Sequence, residues 1–397
     1  MFSAFAERDY RRFWITQFIS NLGSWMQVVA QGWLVYRLTD SPFLLGFVGF
    51  ANSIPTLFLM LPGGVVADHF DRRRVVAASQ WAQALSALFL AVAIYTKQIG
   101  VWQIIAASFA VGVAISFSAP AWQAMVVDLL DDRARLPNAI AMNSMQFNLS
   151  RALGPLVAGV TLAAWGTFWC FFFNAISFLP LIFILGRIKK RQQPPPSGSG
   201  AIVTRLGEGL RYVRAQRVIV VVLGVVAAAS LFGYAYIALM PMVARALYGH
   251  NDAHGLAVLM GGFGAGALCG SLGVAFHTPP PKAMLRGILI GTATLAAGLI
   301  VVGFIHVVAL VAAILFLCGG SGVYAVALCN TSIQQRIPDD MRGRVLSLYT
   351  FAFFAFAPFG NLIGGIMAER WGYAWTFAAL GGALLVSTGA AAAALPE

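Results

Sequence analysis

Apolar residues fill this chain in long runs, and the polar residues gather in short clusters between them. A membrane-crossing helix needs about 20 mostly apolar residues. Runs of that length recur near 13–36, 43–67, 75–96, 101–127, 138–164 and 167–186, then near 218–245, 255–276, 284–304, 307–333, 345–368 and 372–395. The pattern predicts an all-α polytopic membrane protein with 12 transmembrane helices. Polar positions in the first run are themselves periodic, because Gln17, Ser20, Ser24, Gln27 and Gln31 step by three and four residues and form one stripe. Lipid offers such groups no hydrogen-bond partner, so the stripe must face protein or water. Two readings stay open: it lines a cavity, or it joins helices.

The pattern breaks once. Residues 187–217 begin with Arg187, Lys189, Lys190 and Arg191 and continue through a Gln-Gln-Pro-Pro-Pro-Ser-Gly-Ser-Gly stretch, the composition of a solvated connector. After it Val203, Leu206, Leu210 and Val213 fall at helical spacing with arginines on the other faces, which predicts an amphipathic helix on the inner leaflet. The expected division is therefore a six-helix bundle over 1–186, a linker over 187–217 and a second six-helix bundle over 218–397. The halves repeat each other. A shift of 206 positions pairs Gly154 with Gly360, Gly159 with Gly365, Trp165 and Gly166 with Trp371 and Gly372, Trp169 with Trp375, and Phe171 with Phe377. A shift of 208 pairs Asp131 and Asp132 with Asp339 and Asp340. Two related six-helix halves suit a transporter that alternates access around a central site.

Composition agrees with lipid as the solvent: 59% of residues are hydrophobic and 10% charged, and the mean hydropathy is +0.80. A net charge of +12 would suggest nucleic acid in a soluble protein, but its placement excludes that reading. Arg8, Arg11, Arg12, Arg72 to Arg74, Arg133, Arg135, the linker cluster, Lys282, Arg286, Arg336, Arg342 and Arg344 all fall on one side, against Arg37, Lys97, Arg245 and Arg370 on the other. Basic loops stay in the cytoplasm, which predicts a bacterial inner-membrane protein with both termini cytoplasmic. No cleavable leader is expected, since the first apolar run is too long and lacks a small-residue cleavage site. Cys170, Cys269, Cys318 and Cys329 are scattered through apolar runs without metal spacing. Neither a metal nor a cofactor is expected, and no hydrolase, HExxH or phosphate-loop pattern points to an enzyme.

The loop after the second run reads Gly63-Gly64-Val-Val-Ala-Asp68-His-Phe-Asp71-Arg72-Arg73-Arg74. Read from Gly64, it resembles the major-facilitator signature G-x-x-x-D-x-x-[GD]-[RK]-x-[RK]. The resemblance implies a cytoplasmic latch formed by Gly64, Asp68, Arg72 and Arg73, with Gly64 allowing close packing. The corresponding stretch of the second half, His277 to Lys282, lacks the acid. The fifth run contains Gly154-Pro155 and Gly159, similar to the Gly-Pro segment that exporters of this superfamily use as a helix-rocking contact, although Ser150 and Ala158 stand where glycine is usual. Trp33 to Ser41, Leu136 to Ala139, Asn143-Ser144 and Arg342 to Val345 extend the similarity. Over essentially all 12 runs the chain resembles the drug and siderophore exporter branch, which includes enterobactin exporters and macrolide-efflux proteins.

That resemblance implies a secondary transporter exporting a small amphipathic molecule by alternating access with proton antiport, working as a monomer in a lipid bilayer. A lipid or lysophospholipid flippase and a facilitator or importer of the same fold are the alternatives. Besides the stripe, candidate cavity residues are Trp122 and Gln123 in the fourth run, Asn143, Gln146 and Arg151 in the fifth, and Tyr324 and Asn330 in the tenth. Phe351, Phe353, Phe354 and Phe356 read first as packing. Arg151 is the one charge placed deep in a run, where burial costs at least about 2.5 kcal/mol and a functional role is the default. All 14 carboxylates fall in loops or near helix ends, so the residues themselves do not reveal a proton carrier.

Overall fold

A computed structural model describes residues 3–188, 210–249, 252–276, 279–338 and 341–395. The Val203 and Leu206 turn of the linker, the Asp339-Asp340 pair and His277 lie outside the described residues. Among the described residues every regular element is helical. The helices are α1 (Arg8–Thr39), α2 (Pro42–His69), α3 (Arg72–Tyr95), α4 (Val101–Asp128), α5 (Leu136–Trp165), α6 (Thr167–Ser177) and α7 (Leu179–Arg187). Beyond the linker follow α8 (Arg217–Ala228), α9 (Ala235–Tyr248), α10 (Asp252–Phe276), α11 (Pro281–Phe304), α12 (Val308–Gln334) and α13 (Arg342–Ala394).

Ten stretches among the described residues are long and apolar enough to cross a membrane. The last of them, Val345–Ala394, holds two crossings, because Gly372 interrupts the helix at φ 73° and ψ 171°. With α1, 32 residues long and more polar, the described residues hold 12 helical stretches long enough to cross. The sixth crossing is built from α6 and α7, which meet at Phe178; Pro180, at the start of α7, has no N–H to continue the ladder. In the seventh, the π-helical turn Ala229–Gly233 joins α8 to α9. That turn went unforeseen, since apolar periodicity does not distinguish a π from an α ladder.

The chain divides into two compact units: Met1–Asp40 with Ala51–Pro196, and Ser41–Phe50 with Ser197–Glu397. In the first, α1 packs against α4, α5, α6 and α7, and α3 against α4, α6 and α7. Its apolar core gathers Tyr10, Phe13, Val76, Met125, Leu129, Met142, Leu181 and Leu185. In the second, α10 packs on α12, and α11 on α12 and α13. Ser41–Phe50 joins this unit along α13: the Ser41 hydroxyl and the Phe43 N–H both donate to Glu369 Oε2 at 3.0 Å, placing a carboxylate at the start of α2.

The repeat is visible in the backbone. Gly166 (φ 87°, ψ −179°) and Gly372 (φ 73°, ψ 171°) occupy the same left-handed-side conformation, which side chains disfavour, at the start of the final crossing of each half. Phe171 and Phe377 are both fully buried, while Trp165, Trp169, Trp371 and Trp375 are all exposed, as aromatic residues at a bilayer interface are. Gly154 meets the side chain of Trp25, and Gly360 meets the backbone of Leu231, two contacts related by the same 206-residue shift.

Candidate functional site

The polar stripe of α1 splits among several neighbours. Ser20 Oγ donates to Gln80 Oε1 of α3 at 3.0 Å, Asn174 of α6 donates to Gln27 Oε1 at 2.6 Å, and Gln31 donates to Ser108 of α4 at 2.9 Å. Ser24 turns back to the carbonyl of Ser20 at 2.9 Å. These four therefore hold α1 to its surroundings or to itself. The partners Gln80, Ser108 and Asn174 escaped sequence reading because the polar residues of their runs form no regular stripe that marks them out.

Gln17 belongs to a different group. Its Nε2 donates to Asn21 at 3.0 Å, but its Oε1 is buried with no hydrogen-bond partner. One turn earlier, Gln146 Nε2 donates to the carbonyl of Trp14 at 3.3 Å, and Gln146 Oε1 is likewise buried and unpaired. The Phe13 ring lies 6.4 Å from that of Trp122, whose indole Nε1 is a third buried polar atom without a partner. Ser150, one turn along α5 from Gln146 and fully buried, adds a fourth through its Oγ. Arg151 follows it midway along α5 and is 7% exposed. The α1–α5 contact thus concentrates buried polar groups around the Phe13–Gln17 turn. Ser150 was overlooked in the sequence, where it registered only as a departure from a glycine position.

Other candidates are placed elsewhere. Asn143 Oδ1 accepts from the Tyr10 hydroxyl at 3.0 Å, in a bond that fixes the start of α1 to α5. Gln123 is exposed. In the second unit Tyr324 packs against an apolar cluster containing Met284, Ile288 and Leu328, and Asn330 accepts from Gln334 on its own helix. The eleventh-crossing phenylalanines diverge: Phe351, Phe354 and Phe356 are exposed, and Phe353 packs on Tyr234 at 5.9 Å. In the Gly-Pro segment, α5 runs unbroken through Pro155, and Gly154 and Gly159 are both buried.

The loop between α2 and α3 is organised around Arg72. Its Nη1 sits 2.9 Å from Asp128 Oδ2 at the end of α4, with both side chains 9% exposed, while Asp68 is a looser neighbour at 3.9 Å and is itself half exposed. Arg72 Nε also donates to the Ala67 carbonyl at 3.3 Å. Arg73 pairs with Asp71 at 2.7 Å and reaches the carbonyl of Ile188. The side-chain hydrogen bond from Arg73 holds the Asp71 carboxyl below its ordinary range, against a smaller upward push from burial. Expected close packing at Gly64 is not found: a side chain there would meet open space, whereas one at Gly63 would strike the backbone of Ser116. The helix approach in this motif is made by the residue before the signature glycine.

A family model described as a transmembrane secretion effector matches residues 1–396. The chain is 24% identical to the staphyloferrin A transporter of Staphylococcus aureus, over 93% of this chain and 92% of that protein. It is 26% identical to the multidrug efflux pump Tap of Mycolicibacterium fortuitum, over 90% and 88%, and 24% identical to the enterobactin exporter EntS of Salmonella typhi, over 86% and 81%. Among solved structures, the nucleoside transporter NupG aligns over 98% of this chain and all of its own with a TM-score of 0.75 at 11% identity. A bacterial homologue of the human lysosomal transporter Spinster aligns over 97% and 94% with a TM-score of 0.72 at 13% identity.

Proposed function

Because the chain belongs to the transmembrane secretion effector family of major-facilitator transporters, which are not enzymes, we propose that it exports a small amphipathic molecule, a drug or a siderophore, from a bacterial cell. The observation that carries this reading is the end-to-end match: the family model spans nearly the whole chain, and the relatives whose names state export or efflux match over most of both lengths. The basic loops support an inner-membrane setting with both termini in the cytoplasm.

The proposed cycle is alternating access by a monomer, coupled to protons moving inward. Substrate enters a polar site that includes the Gln17, Trp122, Gln146 and Arg151 group. The Arg72–Asp128 pair and its Asp68 neighbour act as the cytoplasmic latch, and the Gly154–Trp25 contact acts as a rocking surface. In a buried pair, separating Arg72 from Asp128 would leave each charge without its partner, an expensive state that makes the pair suited to a latch.

Everted membrane vesicles with a respiration-generated proton gradient, reported by a pH-sensitive dye, test the reading. Addition of a transported drug or siderophore should collapse the gradient only in vesicles containing the protein, and Asp128→Asn should abolish that response. Gradient-independent uptake of a labelled compound would overturn proton antiport while retaining transport. Movement of labelled lysophospholipid alone would replace small-molecule export with lipid transfer.

A further inference from the structure

We infer that the groove beside Trp371 and Trp375, at the start of the last crossing, binds an anionic phospholipid of the bilayer, with an acyl chain between the tryptophans and the phosphate at Arg370. Such a site goes beyond the export reading and holds whatever molecule is exported.

The internal repeat shows how the groove arises. In the first unit the tryptophan face of α6 is closed by the chain's own rings. Phe173 stands 6.0 Å from Trp165 and 5.2 Å from Trp169, and Phe172 stands 5.8 Å from Trp169 and stacks on Phe168 at 5.4 Å. A shift of 206 positions carries Trp165 and Trp169 onto Trp371 and Trp375, but it carries Phe168, Phe172 and Phe173 onto Ala374, Ala378 and Ala379. The tryptophans remain and the rings between them are gone. What is left is a groove of about 550 Å³ lined by Trp371, Trp375, Ala378 and Ala379. Trp375 is 64% exposed, against 38% for Trp169, and Phe304 of α11 meets its indole edge-on at 5.5 Å, which holds it as a wall.

The same shift supplies the charge that selects the occupant. Arg370, exposed and immediately before Trp371, stands where the first unit has Ala164. The acid beside it, Glu369, accepts from the Ser41 hydroxyl and the Phe43 N–H at 3.0 Å each, so its charge is committed to the start of α2. One half therefore pairs a filled aromatic face with a neutral residue, and the other pairs an open groove with a cation. Exposed tryptophans mark the level of the lipid headgroups, where phosphate and acyl chain meet. An apolar slot at that level takes the chain, and a guanidinium takes two phosphate oxygens at once. A zwitterionic lipid offers the same chain but offsets its phosphate with its own ammonium. With the basic loops in the cytoplasm, the site belongs to the outer leaflet. A second copy of the chain could offer its Phe172 and Phe173 rings to the slot, but those rings and Ala164 carry no charge to answer Arg370.

The test uses the full-length protein in phosphatidylcholine nanodiscs doped with a small fraction of lipid brominated on its acyl chains, which quenches tryptophan fluorescence at close range. The signal of Trp371 and Trp375 is read as the difference from protein carrying Trp371→Phe with Trp375→Phe. Brominated phosphatidylglycerol should quench that signal with an apparent affinity about fivefold above that of brominated phosphatidylcholine, the scale set by one cation beside anionic lipid. Arg370→Ala should remove the preference while leaving the weaker quenching common to both lipids. Ala378→Phe with Ala379→Phe, which copies the first unit, should cut quenching by both. The reverse graft, Phe172→Ala and Phe173→Ala with Ala164→Arg, should create the same preference at Trp165 and Trp169. Lys97→Gln, which removes a cation assigned to the same side, should change nothing. Size-exclusion and thermal unfolding show which variants are folded. Equal quenching by the two lipids would overturn the inference, as would a preference that survives in folded Arg370→Ala or quenching unchanged by the two added phenylalanines. Nanodiscs holding paired chains, with Trp371 and Trp375 shielded from both lipids, would overturn it in favour of a second copy.

Discussion

The first crossing of each half solves the same packing problem by different means. In the first unit α1 is one continuous α-helix of 32 residues, bonded by side chains to α3, α4 and α6 through Ser20, Gln31 and Gln27. At the repeat-related place in the second unit, the turn Ala229–Gly233 is π-helical, and Ser230 reaches the carbonyl of Phe353 on α13. The shared element is the glycine on the partner helix: Gly154 under Trp25, Gly360 under Leu231. The second unit then relies on small residues elsewhere. Gly262, Gly266 and Gly270 of α10 lie on the backbone of Ala312, Phe316 and Gly320 of α12, the close approach that replaces hydrophobic driving force inside a bilayer. In the first unit polar side chains tie α1 to its neighbours while backbone proximity joins α2 to α4 at Gly63 and Gly112; in the second, backbone proximity joins α10 to α12. The candidate chemistry accordingly gathers in the first.

The comparison breaks most visibly at the buried ion pair. Asp128→Ala leaves Arg72 buried without its main partner and should cost about 3–5 kcal/mol, whereas replacing both residues with apolar ones of similar volume should recover most of that loss. Unfolding in mixed detergent micelles measures both. A double variant as unstable as the single one would mean that Arg72 is held by its Ala67 carbonyl bond and by Asp68 more than by Asp128.

The counterpart in the second unit is steric. Gly266→Val drives a side chain into the backbone of Phe316, and overpacking of this kind should cost about 1–3 kcal/mol or more. Gly382→Ala is the control, because a side chain there meets nothing within 4 Å and alanine favours the helix by roughly 1 kcal/mol. A lower melting temperature for the first and an equal or higher one for the second would place the strength of this unit in contact distance. Equal effects would reduce the argument to helix propensity.

How much of this was legible in the sequence depended on whether the signal was local. Apolar runs and the matched Trp-Gly pairs at 165–166 and 371–372 are visible in composition and period, so the helices and the repeat could be read directly. The stripe of α1 was legible as a stripe but not as contacts. A helix surrounded by α4, α5, α6 and α7 distributes one polar face among several neighbours, and three- and four-residue steps say nothing about which. Long-range pairs were out of reach for the same reason. Arg72 and Asp128 lie 56 positions apart, and Ser41 and Glu369 lie 328 apart. The signature motif made Asp68 the obvious partner for Arg72, but helix geometry leaves it at 3.9 Å and on the exposed side. Arg151 is the converse case: a single charge in an apolar run was noticed without any pairing, and it is buried midway along α5.

The smallest effect is the most discriminating. Gln27 Oε1 accepts from Asn174 at 2.6 Å, deep between α1 and α6. In water-soluble cores, an orphaned amide costs about 1–3 kcal/mol, but interhelical bonds in membranes average about 0.6 kcal/mol, because the unfolded chain in lipid also finds partners. A double-mutant cycle with Gln27→Leu and Asn174→Leu should therefore give a coupling near the lower figure. Gln27→Leu orphans only the Asn174 Nδ2 donor, since Asn174 Oδ1 still accepts from the Ser177 hydroxyl at 3.1 Å. A coupling near 0.6 kcal/mol would mean that the polar bonds of α1 set its rotation and its neighbours rather than its stability. The first unit would then owe its strength to Phe13, Met125 and the rest of its apolar core, and the polar groups around Gln17 and Gln146 would be free to serve a ligand. A coupling above about 2 kcal/mol would make the same bonds structural, and α1 could not turn during transport without breaking them.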